Sequence, residues 1–90
     1  MDLEAKRLLE VIAIRHDQEK PLTFTEAMAL NHIASPATLH RKLDQLRDMG
    51  MIEHAFEGTN RRTKFMMPTS LAQRYFDQVE KALQHTLKAG

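Results

Sequence analysis

Apolar residues recur along this chain first at helical spacing, then in alternation, then at helical spacing again, and those changes of period divide it into elements. From Leu3 to about His16, Leu8, Leu9 and Ile12 form a stripe that Leu3 and Ala5 extend one turn back, which predicts an amphipathic helix. Val11 and Ile14 fall off that stripe. They are either ordinary surface apolars or a second face packed against a partner subunit. Asp17-Gln18-Glu19-Lys20-Pro21 is a polar connection in which Pro21 prevents helical continuation. Thr23 with Glu26 has capping-box spacing and starts the next helix, with Thr25 as a competing cap and Phe24 placed to staple the first turn. Ala27, Met28, Leu30 and Ile33 carry that helix forward, and the Pro21–Thr23 piece can add a short strand.

Ser35-Pro36-Ala37-Thr38-Leu39-His40-Arg41-Lys42-Leu43-Asp44-Gln45-Leu46-Arg47-Asp48-Met49-Gly50 reads as one helix marked at both ends. Ser35 caps its free N–H groups, Pro36 suits the first turn, and Gly50 can take the left-handed conformation that closes it. Leu39, Leu43 and Leu46 make a narrow apolar seam. With Ala34-Ser35 as a tight connection, the two helices form a helix-turn-helix. After Gly50 the residues alternate: Ile52 and Phe56 share one face of a strand, Glu53 and Glu57 the other. Gly58-Thr59-Asn60 is turn chemistry, and Thr63-Lys64-Phe65-Met66-Met67 is a returning strand stopped by Pro68, so the pair predicts a β-hairpin. Thr69 or Ser70 then caps a last helix whose face is Leu71, Tyr75, Phe76, Val79 and Leu83, extended by Leu87. Its second half has little core left to cover. It either frays after about Ala82 or offers Val79, Leu83 and Leu87 to a second subunit.

The expected class is therefore mainly α with a small β hairpin (α+β), laid out as a winged helix-turn-helix with a three-helix core, a wing and a C-terminal helix. Ninety residues make one domain. Its parts are residues 1–20 for the first helix and linker, 22–49 for the helix-turn-helix, 51–68 for the wing and 69–88 for the last helix. Cysteine is absent, which excludes disulfides and thiolate metal sites. No run nears the ~20 apolar residues of a membrane span, and the first residues show no basic stretch leading into an apolar one, so a cytoplasmic protein is expected.

Net charge is +1, but its distribution is uneven. Met1 to Ala34 holds four Lys or Arg against six Asp or Glu, whereas Ser35 to Lys64 holds six against four, with Arg61, Arg62 and Lys64 the densest group. The exposed side of the central helix near its start carries Ala37, Thr38, His40, Arg41 and Lys42: cations, hydrogen-bonding groups and a methyl, with no acid. That set suits a helix entering a DNA major groove by its N-terminal end. An enzyme is not expected. His16, His32, His40, His54 and His85 are dispersed without metal-ligand spacing, Ser35 and Ser70 sit at helix starts, and no nucleophile motif or phosphate-cradling glycine loop is present. No cofactor or metal is implied.

Leu22-Thr23-x-Thr25-Glu26, then Ser35-Pro36-x-Thr38-Leu39-x-Arg41-x-Leu43-Asp44-x-Leu46, Gly50-Met51-Ile52-Glu53, Asn60-Arg61-Arg62-Thr63-Lys64 and Thr69 together resemble the DNA-binding core of the MarR-type transcriptional regulators, over about residues 22–71. Asn60 stands where that family commonly has an aspartate that orients the wing arginine, here Arg62. The resemblance implies a DNA-binding transcriptional regulator acting as a homodimer. Arg41 would fork to guanine, Thr38 and His40 would bond base edges, and the Ala37 methyl would meet thymine. Ser35 belongs to the same helix start, and Lys42 and Gln45 would meet phosphates. Asn60, Arg61, Arg62 and Lys64 would grip the backbone or minor groove, and Thr23 and Thr25 would offer donors to phosphate. Val11, Ile14, Val79, Leu83 and Leu87 would join the subunits. Neither the residues nor the resemblance names a small-molecule effector. The alternative is a winged-helix module that binds protein rather than DNA, which the near-neutral charge favours.

Overall fold

The computed structural model describes residues 1–89, with the side chains of Glu57, Asn60, Arg61 and residues 85–89 outside the description. The described residues form four α-helices and three β-strands: α1 (Leu3–Asp17), β1 (Leu22–Thr23), α2 (Phe24–Met28), α3 (Pro36–Asp48), β2 (Ile52–Glu57), β3 (Asn60–Pro68) and α4 (Ser70–Ala89). The α+β class read from the sequence is the class observed. The sheet is antiparallel with order β1-β3-β2, so the long strand β3 is central and the two-residue β1 lies on the edge away from β2.

Helix ends follow local chemistry. Asp2 caps α1 by accepting the Ala5 N–H at 2.9 Å. Thr23 and Glu26 complete the capping box of α2. Ser35 caps α3, with Pro36 in its first turn. At the far end of α3, Gly50 adopts φ +76°, while Met51 N–H reaches Leu46 C=O and Gly50 N–H reaches Arg47 C=O. Those paired bonds are the Schellman closure that a left-handed glycine permits. Thr69 links this end to α4: its hydroxyl donates to Gly50 C=O at 2.6 Å and accepts from Ala72 N–H at 3.2 Å.

The core gathers where the apolar faces meet. Ala5, Leu8, Leu9 and Ile12 of α1 pack with Leu39, Leu43 and Leu46 of α3, and Leu22, Ala27, Ile52, Met66 and Ala72 close the cluster. Leu22 pairs with Met66 and Thr23 with Phe65, while Ile52 through Phe56 run against Pro68 back to Lys64. The register then shifts between Phe56 and Glu57, which faces Asn60, leaving the backbone of residues 61–63 in a bulged segment next to a two-residue turn at Gly58 and Thr59. A bulge of this kind re-aims the side chains it carries.

Four expectations need correction. The α2 helix stops at Met28 rather than running through Leu30 and Ile33. Ala29 N–H bonds back to Glu26 and Leu30 N–H to Ala27, so the backbone tightens to three-residue bonds, and Leu30 and Ile33 reach the core from a turn. The link between α2 and α3 is therefore seven residues, not the dipeptide Ala34-Ser35. Leu3 is 61% exposed while Ala5, in the same first turn, is 2% exposed, so Leu3 lies off the face of α1 that meets the core. In α4 the anchor is Ala72, fully buried, and not Leu71, because the helix meets the core one position round from the larger side chain.

Leu46→Ala opens a cavity in the sealed core and is expected to cost about 2–5 kcal/mol of unfolding free energy. Gly50→Ala meets only ordinary contact with Leu71 at 3.6 Å, so its cost is the left-handed backbone alone, about 1–2 kcal/mol. Urea unfolding should rank them in that order, and the reverse would place the constraint at the turn.

Candidate functional site

The β1–β3 pairing fixes what lies beside what. With Thr23 opposite Phe65, the first residues of α2 come alongside the end of the bulged hairpin segment. Thr23, Phe24 and Thr25 on one side and Arg62, Thr63 and Lys64 on the other line an open cleft of about 300 Å³. No acid lines it. Glu26, one turn along α2, accepts from Thr23 N–H and hydroxyl and from Arg15, each at 3.1 Å. The Thr23 backbone bond, followed by the Arg15 bond, holds its carboxyl below the usual range, so it stays ionised and paired.

The start of α3 stands next to that cleft. The His40 and Phe24 rings lie 5.6 Å apart at 86°, and Lys64 Nζ sits 4.9 Å from the Phe24 ring centre. Arg41 is exposed and makes no hydrogen bond or ion pair among the described residues. Ala37 is exposed and Thr38 half-buried. The Ser35 hydroxyl donates to the Thr38 hydroxyl at 3.1 Å while accepting from its N–H at 3.4 Å. His40 Nδ1 lies 3.3 Å from Asp44, which pairs there rather than with Arg41 or Arg47.

The structure thus brings Thr23, Thr25, Arg62 and Lys64 together in one cleft and His40 beside it, on the helix start that also carries Ser35, Ala37, Thr38 and Arg41. It separates two others. Lys42, expected at a phosphate, is turned toward the start of α1, where its ammonium bonds Asp2 at 2.6 Å with the side chain only 12% exposed. The ion pair and the Ala5 N–H hold the Asp2 carboxyl below its ordinary value. Gln45 faces the same flank, lining a cleft with Met1, Asp2 and Ala5. The expected contacts Asn60 and Arg61 lie outside the described side chains, as does Leu87 of the expected subunit interface. Of the rest of that interface, Val11 is half-buried against the chain's own core. Ile14, Val79 and Leu83 are exposed, and no described residue from Asp77 to Gln84 is buried. Ile14 and Phe76 share a cleft between α1 and α4.

The sequence reading missed three residues here. Phe24, expected only to staple the first turn of α2, also joins α3 and the hairpin through its ring, a role whose only sequence signal is an aromatic set between two threonines. Thr63 lines the cleft. His54, on β2, is partly buried, and burial, then the charges of Lys64 and Arg47, push its imidazole below 6.5, with Asp44 opposing. Among the described residues no three His, Asp or Glu side chains gather closely enough to hold a metal ion, and no helix is long and apolar enough to cross a membrane.

No protein-family model matches this chain, and no curated protein sequence matches it. A crystal structure of the AF1382 protein from Archaeoglobus fulgidus is similar, with a TM-score of 0.70 at 17% identity over 96% of this chain and 90% of that one. At that identity the likeness is one of fold.

His54 supplies a pH test with a defined sign. Its folded-state value is lowered, so the unfolded chain binds the proton more readily; stability is complete above about 6.5 and falls as pH drops through and below that value. Urea midpoints at pH 7.5 and 5.5 should differ more for the unsubstituted protein than for His54→Gln. An equal difference would show that His54 is not the group responsible.

Proposed function

We propose that this chain is a winged helix-turn-helix protein that binds double-stranded DNA in a sequence-specific manner, as a transcriptional regulator resembling the MarR type. The observation that carries the reading is the cleft of Thr23, Phe24, Thr25, Arg62, Thr63 and Lys64, with no acid among its described lining, joined to α3 by the Phe24–His40 ring contact. A helix start rich in donors next to a basic hairpin matches the two surfaces of a duplex, base edges in the major groove and the flanking phosphates. Arg41 is the candidate fork to guanine, Thr38 and His40 bond base edges, and the Ala37 methyl faces thymine. Thr25, which is exposed, offers its hydroxyl to a phosphate, whereas Thr23, expected in the same role, already donates both its N–H and its hydroxyl to Glu26; Arg62 follows the backbone or minor groove.

The working form is a homodimer. A 20-residue helix is about 30 Å long, and its exposed Val79 and Leu83, with Ile14, form apolar surface that the chain's own core leaves uncovered. Two copies would set their α3 helices about 34 Å apart on one side of DNA, so a near-palindromic site is expected. One observation favours the protein-binding alternative: Asp44 beside His40 puts a carboxylate on the face that would meet DNA.

Fluorescence anisotropy on labelled duplexes across a salt series tests the reading. Arg41→Ala should relax sequence preference at about 1–3 kcal/mol, whereas Arg62→Ala should weaken all sequences alike. Equal losses on preferred and random DNA for both would remove the division of roles, and no binding to any duplex at low salt would favour a protein partner. In sedimentation, Leu83→Glu should convert a dimer to a folded monomer; an unchanged mass would place the subunit contact elsewhere.

A further inference from the structure

We propose that Phe24 is the joint that sets the hairpin against α3, and that Lys64 directs its charge to that ring rather than to a DNA phosphate; the consequence for DNA rests on the function proposed above. Three distant parts of the chain meet at this ring. It opens α2, His40 comes from α3, and Lys64 comes from β3. The ring separation of 5.6 Å at 86° falls in the favoured range for perpendicular aromatic pairs. The ammonium at 4.9 Å lies within reach of the ring's negative face. Lys64 is half-buried, and none of the ion pairs among the described residues includes it.

The outer part of the hairpin needs such an attachment. The β1 strand pairs with β3 only at Phe65 and Met66, and the core ends at Ile52 and Met66. Phe56, which stands opposite Lys64, is 42% exposed. Beyond Phe65 toward the tip, core packing therefore no longer positions the strand pair, and the Phe24 ring is where its first outlying residue is held. A protein that must place α3 and the hairpin on one duplex together depends on that spacing.

The test is a double-mutant cycle on the full chain with Phe24→Leu and Lys64→Met, binding a labelled mixed-sequence duplex of about 30 base pairs. Each single change should weaken binding by a similar factor, roughly two- to fivefold, and the double variant should be no weaker than the worse single one. Phe24→Tyr should bind as the unsubstituted protein does. Lys64→Met should leave the slope of log affinity against log salt unchanged, whereas a phosphate contact would lower it by about 0.9. Losses that multiply, or a slope that falls by one contact, overturn the joint. Should Phe24→Leu fail to fold, the slope of Lys64→Met still decides. In the unbound protein, the His40 ring protons should lose a ring-current shift in Phe24→Leu and keep it in Phe24→Tyr; unchanged His40 shifts in both would remove the contact itself. Absence of duplex binding by the unsubstituted protein overturns the DNA reading, a result distinct from multiplying losses on a binding background.

Discussion

Two residues of backbone pairing hold together everything at the candidate site. Leu22 against Met66 and Thr23 against Phe65 are the whole of β1, yet they attach the start of α2 to the central strand. Leu22 is sealed in the core, which keeps so short an edge strand in place. Thr23 then serves as strand end, helix cap and cleft wall at once. Without that pairing, Phe24 and the two threonines would have no fixed relation to Arg62 and Lys64. A short edge strand also gives other chains little template to extend.

The distribution of charge follows a similar logic. The chain is almost neutral overall, but several of its acids are engaged locally. Glu26 is held by Thr23 and Arg15, Asp2 by Lys42 and the Ala5 N–H, and Asp44 by His40. The pairing removes Lys42 from the basic group and leaves Arg41 without an acidic partner among the described residues. A local window around Ser35 to Lys64 therefore overestimates how many of its cations face the same way, since Lys42 is turned to Asp2. Such surface pairs contribute little stability individually; their effect here is on which charges remain outward.

Most of the fold was legible because its limits are local. Both ends of α3 are marked by Ser35-Pro36 and Gly50, and its leucines keep one seam. The hairpin announces itself by alternation and by Gly58-Thr59. The extent of α2 was not legible, because Leu30 and Ile33 keep helical spacing while reaching the core from a tightened turn. Ala72 was passed over for Leu71 because apolar size, the usual guide, points to the wrong one of two adjacent residues. At the site, Thr23, Arg41 and Arg62 were readable as residue types in a pattern. Phe24 and the turning away of Lys42 were not, since each depends on partners 40 positions away in the chain, through Lys64 and Asp2.

Thr69 has a consequence for how the molecule comes apart. One hydroxyl closes the carbonyl end of α3 at Gly50 and the amide end of α4 at Ala72. The first turn of α4 therefore cannot open without baring a carbonyl at the end of α3, so those two helix ends open together. The stretch from Asp77 to Gln84 is exposed throughout. In a lone subunit, local opening is therefore expected to divide inside this one helix, with amide exchange slower in its first turn than across the exposed stretch from Asp77 to Gln84.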